Sequence, residues 1–282
     1  ALPLTAITAW EALFDRLDVR RPVPGAASAL LIIGGAGGVG SIATQLARQL
    51  TGLTVIATAS RPETRDWVQR MGAHHILDHS QPLAPQLQAL GLGAPAFVFS
   101  TTQTARHLAD IAELIAPQGR FALIDDPKQL DIMAFKRKSV SVHWEFMFTR
   151  SMFATADLAE QGRLLDEVAR RGDAGQLKTT LNTRLGPIDA ATLKRAHALA
   201  ETGSSLGKVG VGGWEGSQQR DGAWGKSCRN PRRTRWTHSA IRCRESKTAH
   251  GRHAEVDVWP ASINVGPAQA RGCSEKLHPG NP

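Results

Sequence analysis

A doubly wound parallel α/β sheet is the fold class this sequence predicts, and three observations carry it. Short apolar runs alternate with amphipathic helical stretches from residue 29 to residue 211. A glycine-rich loop, Gly34 to Gly40, joins the first run to the helix after it. The best-defined runs, Ala29-Leu30-Leu31-Ile32-Ile33 and Ala96-Phe97-Val98-Phe99, are apolar at every position. A strand that is apolar throughout is buried on both faces, so helices must cover the sheet on both sides.

The elements follow in chain order. Ile7, Trp10, Leu13, Phe14 and Leu17 recur at three- and four-residue spacings and predict a helix over 5–18. Arg20-Arg21-Pro22-Val23-Pro24-Gly25 breaks it. Ala29 to Ile33 predicts a buried strand and Ser41 to Leu50 a helix, with Ile42, Leu46 and Leu50 on one face. A strand over 53–59, a helix over 62–71 and a short strand over 75–77 come next. A weak helix over 86–90 leads to the strand 96–99, and a helix over 105–115 is closed by Pro117 and Gly119. Strands over 120–124 and 139–144 follow. The remaining elements are an amphipathic helix over 156–171, a strand over 178–184, a helix over 189–200 and a strand over 207–211.

The pattern stops near Trp214. From there to Pro282 the large aliphatic residues are Ile241, Val256, Val258, Ile263, Val265 and Leu277, with no Phe or Met. A stretch so poor in apolar surface cannot offset its ordering entropy, and a low-order tail is expected. Charge is divided unevenly too. Residues 1–213 hold 22 Lys and Arg against 19 Asp and Glu, a net +3, whereas residues 214–282 hold 12 against 6, a net +6. The basic character therefore belongs mainly to the tail and does not by itself mark the chain as nucleic-acid binding. All three cysteines, Cys228, Cys243 and Cys273, lie there. They make no disulfide framework, which points to a reducing, cytoplasmic compartment. No apolar stretch reaches the roughly 18–20 residues of a bilayer span, so no membrane partner is expected. The start, Ala1-Leu2-Pro3-Leu4, lacks the basic region of a signal peptide. It also lacks an initiating Met, which suggests a chain beginning inside a longer protein.

Gly35-Ala36-Gly37-Gly38-Val39-Gly40 matches GxGxxG between a predicted strand and a predicted helix, the context in which that pattern marks a dinucleotide-binding Rossmann turn. The first glycine permits the tight turn, the second admits a pyrophosphate, and the third lets helix and strand pack closely. Gly38 and Val39 open the helix whose amides face the phosphates. The tip of the second strand distinguishes the dinucleotides. A carboxylate there, about 20 residues past the loop, holds the ribose hydroxyls of NAD. Here the tip reads Ala59-Ser60-Arg61-Pro62-Glu63, with Arg65 one helical turn on. Ser60, Arg61 and Arg65 suit a 2′-phosphate, because the arginine fork gives two hydrogen bonds. NADP(H) is the expected cofactor, and Glu63 on the ribose is the alternative.

The run from Ala29 to Arg48 resembles the cofactor loop of the medium-chain dehydrogenases/reductases. It is most similar to the zinc-type alcohol dehydrogenase-like and quinone oxidoreductase branch. Leu4-Thr5-Ala6-Ile7-Thr8-Ala9-Trp10, Met71-Gly72-Ala73, Ala116-Pro117-Gln118-Gly119-Arg120 and Gly207-Lys208-Val209 support the resemblance, which covers residues 1–213. It implies four segments. They are an opening helix and linker (1–22), a Rossmann domain (23–175), a segment returning to an incomplete GroES-like catalytic domain (176–213), and the unrelated tail (214–282). It implies hydride transfer between nicotinamide and a small carbonyl, quinone or enone substrate, and a homo-oligomer. Thr8 and Thr101 are the candidate catalytic residues. Ser100 and Ile124, at strand ends, are candidate cofactor contacts. The family's zinc ligands belong largely to the catalytic part this chain lacks, so zinc is not expected here.

Other features read more plainly. His74-His75 and His79 beside Asp78 read as a loop, not a metal cluster; Lys136-Arg137-Lys138 as a solvated turn; Asp125-Asp126 as turn capping before Pro127; and His143-Trp144-Glu145 as a candidate substrate wall. The alternative functions are a nucleic-acid-binding protein acting through the basic tail, since the quinone reductase branch includes crystallin relatives reported to bind RNA, and a cofactor-binding fragment without catalysis. The loss of pattern directly after Gly207-Lys208-Val209 instead favours a shifted reading frame.

Overall fold

The computed structural model describes residues 2–203 and 205–213. Helix α1 (Leu2–Trp10) continues as a π-helical turn (Glu11–Arg16) and leads into strand β1 (Ala27–Ile33). The core continues with α2 (Gly38–Leu50), β2 (Thr54–Thr58), α3 (Pro62–Arg70), β3 (His75–Leu77), α4 (Leu83–Ala89), β4 (Pro95–Ser100), α5 (Thr104–Leu114) and β5 (Arg120–Leu123). A 3-10 turn (Ile132–Lys138) precedes β6 (Ser141–Trp144), followed by α6 (Thr149–Met152) and α7 (Glu160–Asp173). Strand β7 (Leu181–Arg184), α8 (Ala190–Glu201) and β8 (Lys208–Gly210) end the described chain.

Six strands form one parallel sheet in the order β3-β2-β1-β4-β5-β6. The chain winds outward from β1 to β3 and then from β4 to β6, so the crevice at the carboxyl ends of β1 and β4 is the topological switch point. Period-two alternation along each strand feeds two apolar layers. Leu30, Ile32, Phe97 and Phe99 face a core closed by α1, α2, α3 and α7. Leu31, Ile33, Val98, Phe121 and Leu123 face the other, closed by α4, α5 and Phe135 of the 3-10 turn. These strand side chains are essentially unexposed, as the fully apolar runs require.

The predicted doubly wound sheet is present, with differences that have physical causes. Strands β7 and β8 pair with each other in a separate two-stranded parallel sheet instead of extending the large one. Their side chains are half-buried or exposed, Leu181-Asn182-Thr183-Arg184 among them, which a strand covered on both faces does not tolerate. Helix α7 starts at Glu160 rather than Ala156, because Asp157 accepts hydrogen bonds from Arg150 and Thr155 across a turn. Lys138 is not merely solvated. Its ammonium donates to the carbonyls of Glu113 (2.5 Å) and Ile115 (2.8 Å) and so caps the end of α5. Asp125 acts on α5 rather than on Pro127: it accepts from the Thr104 amide at 2.8 Å and from the Thr104 hydroxyl. Among the described residues no helix is long and apolar enough to cross a membrane. The tail expected from the sequence to be of low order, with its three cysteines and its basic cluster, lies outside the described residues.

Candidate functional site

The glycine loop occupies the switch point. Its backbone is held from the neighbouring strand. The Gly34 amide donates to Thr58 Oγ1 (3.0 Å), the Gly35 amide to the Thr58 carbonyl (3.1 Å), and the Gly37 amide to the Gly34 carbonyl (3.2 Å). The glycines have unequal roles. A Cβ on Gly40 would sit 2.2 Å from the Gly34 carbonyl oxygen, and one on Gly35 would sit 2.8 Å from the Ala57 Cβ. Those two positions are closed by the fold itself. At Gly37 the nearest atom is the Gly34 oxygen at 3.6 Å, ordinary contact. Gly37 therefore guards empty space over the start of α2, where the first amides have no intrahelical acceptor and no side chain caps them.

The far end of the described chain closes over that space. The Gly207 amide donates to the Ala36 carbonyl at 2.8 Å, and Gly207 has a positive φ of 53° against the Thr180 carbonyl. Lys208 then lies across Gly38: a Cβ there would be 2.3 Å from Lys208 Cε and 3.1 Å from its Nζ. A cation thus stands beside the helix N-terminus. On the other side Trp67 Nε1 donates to Ser41 Oγ (2.8 Å), whose hydroxyl donates to the Gly37 carbonyl (2.6 Å). Amides, dipole and ammonium together make a cradle for an anion.

The tip of β2 forms a second polar cluster. Ser60 Oγ lies 3.2 Å from His79 Nε2, and His79 Nδ1 lies 3.3 Å from Thr58 Oγ1. Arg61 and Arg65 stand at the start of α3. Arg65 donates to the Ala59 carbonyl at 3.4 Å, and Arg61 pairs with Glu63 at 3.3 Å. His79 is half-buried, and burial holds its pKa below the ordinary value; Asp78 opposes that, while Arg106 and Arg61 reinforce it. Sequence reading placed His79 in a plain loop. It missed that β3 ends beside β2, which brings residues 58, 60 and 79 together.

The remaining predicted residues lie at the ends of β1, β4 and β5. Thr101 Oγ1 donates to the Ile33 carbonyl (2.8 Å) and fills the space beside Gly34, where a Cβ would come within 2.4 Å of it. Ser100 is fully buried. Its Oγ lies 2.7 Å from Thr104 Oγ1, whose single proton goes to Asp125, so the Ser100 hydroxyl donates there and supports the strand end from below. The Ile124 amide donates to the Ser100 carbonyl at 3.3 Å. Thr8 is buried in α1, with its hydroxyl donating to the Leu4 carbonyl. Past β6, Trp144, Phe146 and Phe148 are exposed around a buried Glu145.

Beneath that rim Glu145 and Glu11 of the π-helical turn are both buried. Arg16 donates to Glu145 Oε2 at 2.9 Å, and Arg150 lies 2.6 Å from Glu11 Oε1. Glu11 Oε2 lies 3.9 Å from an Arg16 guanidinium nitrogen, and neither it nor Glu145 Oε1 accepts a hydrogen bond. Burial first, and then the neighbouring Glu11 carboxylate, push Glu145 up to about 8, so Glu145 carries a proton at neutral pH.

Among the described residues no group of three His, Cys, Asp or Glu side chains is arranged to hold a metal ion. Residues 38–161 match the family model described as zinc-binding dehydrogenase. A zinc-type alcohol dehydrogenase-like protein of Staphylococcus aureus is 36% identical over 211 residues, 74% of this chain and 63% of that protein. The chain therefore spans less than two thirds of the length of that relative. Among solved structures, a protein from Rhizobium etli assigned to the zinc-dependent alcohol dehydrogenases is 69% identical with a TM-score of 0.74, over 76% of this chain and 62% of that one. A mycobacterial protein solved in complex with NADPH is 26% identical with a TM-score of 0.59, over 74% of this chain and 62% of that one.

Proposed function

We propose that this chain, as a member of the medium-chain dehydrogenase/reductase family, binds NADP(H) and serves an oxidoreductase acting on a small carbonyl, quinone or enone compound. The observation that carries the cofactor choice is the tip of β2. It presents Ser60, Arg61 and Arg65 and no carboxylate before Glu63, whose own charge is paired with Arg61. A 2′-phosphate meets charge and donors there, whereas the diol of an unphosphorylated ribose lacks its usual acceptor. The mycobacterial relative bound to NADPH supports the same choice.

Bound nicotinamide supplies or accepts the hydride. The chain's own residues position it. Gly37 would leave the pyrophosphate room, the amides of Gly38, Val39 and Gly40 would donate to it, and Lys208 would balance its charge. Thr101, holding Ile33, and Ile124, tied to Ser100, fix the strand ends on which the nicotinamide would rest. Trp144 and Phe146 give an apolar wall that limits water. Among the described residues no cluster of His, Cys, Asp or Glu fits zinc.

Calorimetric titration of the full chain with NADPH and NADH at matched salt tests this. The expected result is tighter NADPH binding, with Ser60→Ala/Arg61→Ala weakening NADPH about 10- to 100-fold and leaving NADH unchanged. Equal or tighter NADH binding would overturn the cofactor assignment.

A further inference from the structure

The phosphate-binding hydroxyl of Ser60 is itself held by an imidazole. We propose that His79 is a specificity-determining residue of this site: it takes up a proton when a 2′-phosphorylated adenosine binds beside Ser60 and Arg61, so that discrimination between the phosphorylated and unphosphorylated dinucleotide increases toward acidic pH. The inference rests on the NADP(H) reading above and adds to it a proton-linked source of selectivity.

The geometry allows the ring to carry either one proton or two. Both ring nitrogens face hydroxyls, Nε2 toward Ser60 Oγ and Nδ1 toward Thr58 Oγ1. A hydroxyl donates or accepts by turning about its C–O bond. Neutral His79 donates to one hydroxyl and accepts from the other, and the imidazolium donates to both, so neither contact is lost on protonation. Thr58 Oγ1 also accepts from the Gly34 amide, so the ring's state is tied to the first residue of the glycine loop.

Burial, reinforced by Arg106 and Arg61 and opposed by Asp78, favours a neutral ring until an anion arrives. From the tip of β2 and from α3 come Arg61 and Arg65; from α5 come Arg106, His107 and Asp110; from the end of β3 comes Asp78. The His107 ring lies 6.3 Å away and is likewise depressed, by burial and then by Arg106 and His79. The carboxylates nearby are engaged elsewhere. Asp78 accepts from the Ser80 amide and hydroxyl, Asp110 from the Leu83 amide, and Glu63 pairs with Arg61. A ribose phosphate adds about −1.5 to −2 charges at neutral pH and reverses the local balance in favour of imidazolium. An unphosphorylated ribose adds none. If the phosphate raises the ring's pKa by about one unit, affinity gains up to about tenfold on the acidic side, for the phosphorylated cofactor alone. The phosphate's own protonation, near pH 6, works in the opposite direction and sets the lower limit of the useful range.

The test is calorimetric titration of the full chain with NADPH and with NADH from about pH 6.5 to 8.5, at constant ionic strength. Each is run in two buffers of different ionisation heat, which gives the protons taken up per cofactor. The wild type is expected to bind a fraction of a proton with NADPH and none with NADH, its NADH-to-NADPH Kd ratio rising about 2- to 4-fold from about pH 8.5 to 6.5. His79→Gln, which keeps a hydrogen-bonding side chain but does not titrate, is expected to prefer NADPH at a constant ratio with no proton uptake. His107→Gln is expected to behave as wild type. Preferential NADPH binding without proton uptake, or with uptake that persists in His79→Gln, overturns the inference and leaves the cofactor assignment standing. Absence of any NADPH preference in the wild type brings down the cofactor assignment, and the inference with it. Should His79→Gln fail to fold, a nitrogen-15 titration of the His79 ring with and without NADPH decides. An unchanged midpoint refutes the inference, and an upward shift supports it.

Discussion

Gly37 and Gly40 carry the same residue type in the same motif, yet the structure assigns them opposite sensitivities. A Cβ on Gly40 would lie 2.2 Å from the Gly34 oxygen, 2.8 Å from the Gly35 Cα and 3.0 Å from the Gly34 carbonyl carbon. All three are backbone atoms, so no side chain can swing aside. Relief requires the start of α2 to lift from the end of β1, between two buried layers. Overpacking costs 1–3 kcal/mol where side chains adapt, and an unyielding backbone places Gly40→Ala at about 3 kcal/mol or more. For a folded region of this size that lowers Tm by about 6–12 °C. Gly37→Ala meets one atom at 3.6 Å and has no positive φ to strain. Its cost is the weaker N-cap, about 0.5–1 kcal/mol, or about 2–4 °C. Its effect on the ligand is the larger one: the new methyl occupies the pyrophosphate approach and is expected to weaken NADPH at least about tenfold, a loss of about 1.4 kcal/mol. Thermal denaturation followed by circular dichroism, paired with NADPH titration, reads both. A Gly40→Ala protein melting within 2 °C of wild type, to order of magnitude, would refute the steric argument. So would a Gly37→Ala protein that binds NADPH unchanged.

Three other outcomes follow from the same geometry. Lys208→Met removes the cation over Gly38 and is expected to weaken NADPH and NADH alike by about tenfold, since the pyrophosphate is common to both; a selective loss of NADPH would contradict that placement. Glu145 has a folded pKa raised above its unfolded value, to about 8, so its favourable contribution is complete below the unfolded pKa and is lost as pH climbs through about 8. Wild-type Tm should therefore fall across that window, and Glu145→Gln should flatten the fall; parallel curves for the two proteins would show that the buried proton is not there. Lys138→Met deletes two hydrogen bonds at the end of α5 and should cost about 1–2 kcal/mol, measurable by urea denaturation, with no change in cofactor affinity.

Much of this was legible in the sequence because the strongest signals are local. The apolar run Ala29–Ile33 can only be a strand buried on both sides, and a GxGxxG between it and Ile42, Leu46 and Leu50 can only open a helix in that setting. What was not legible depends on adjacency across the sheet. Nothing in His74-His75-Ile76-Leu77-Asp78-His79 announces that β3 will end beside Ser60. That follows from the β2–β3 register, in which Thr58 stands opposite Leu77. Lys208 over Gly38 is similarly invisible, since 170 residues separate them. Thr8 and Ser100 look like exposed strand-end or helix-face hydroxyls in sequence, but packing buries both. The π-helical turn at Glu11–Arg16 escapes periodicity analysis because one added residue per turn leaves the apolar spacings almost unchanged, while rotating Glu11 inward.

The bond from Gly207 to Ala36 has a temporal consequence. The loop is finished by a residue that leaves the ribosome long after β1 and α2 have emerged, and the closure is among the longest-range contacts in the described chain. A nascent chain that has delivered only the six-stranded sheet holds a glycine turn without its clamp and without the Lys208 charge. The anion cradle is thereby completed only once residues 207 and 208 have been made. A chain cut between residues 145 and 206 would keep all six strands of the large sheet but leave the anion cradle unfinished.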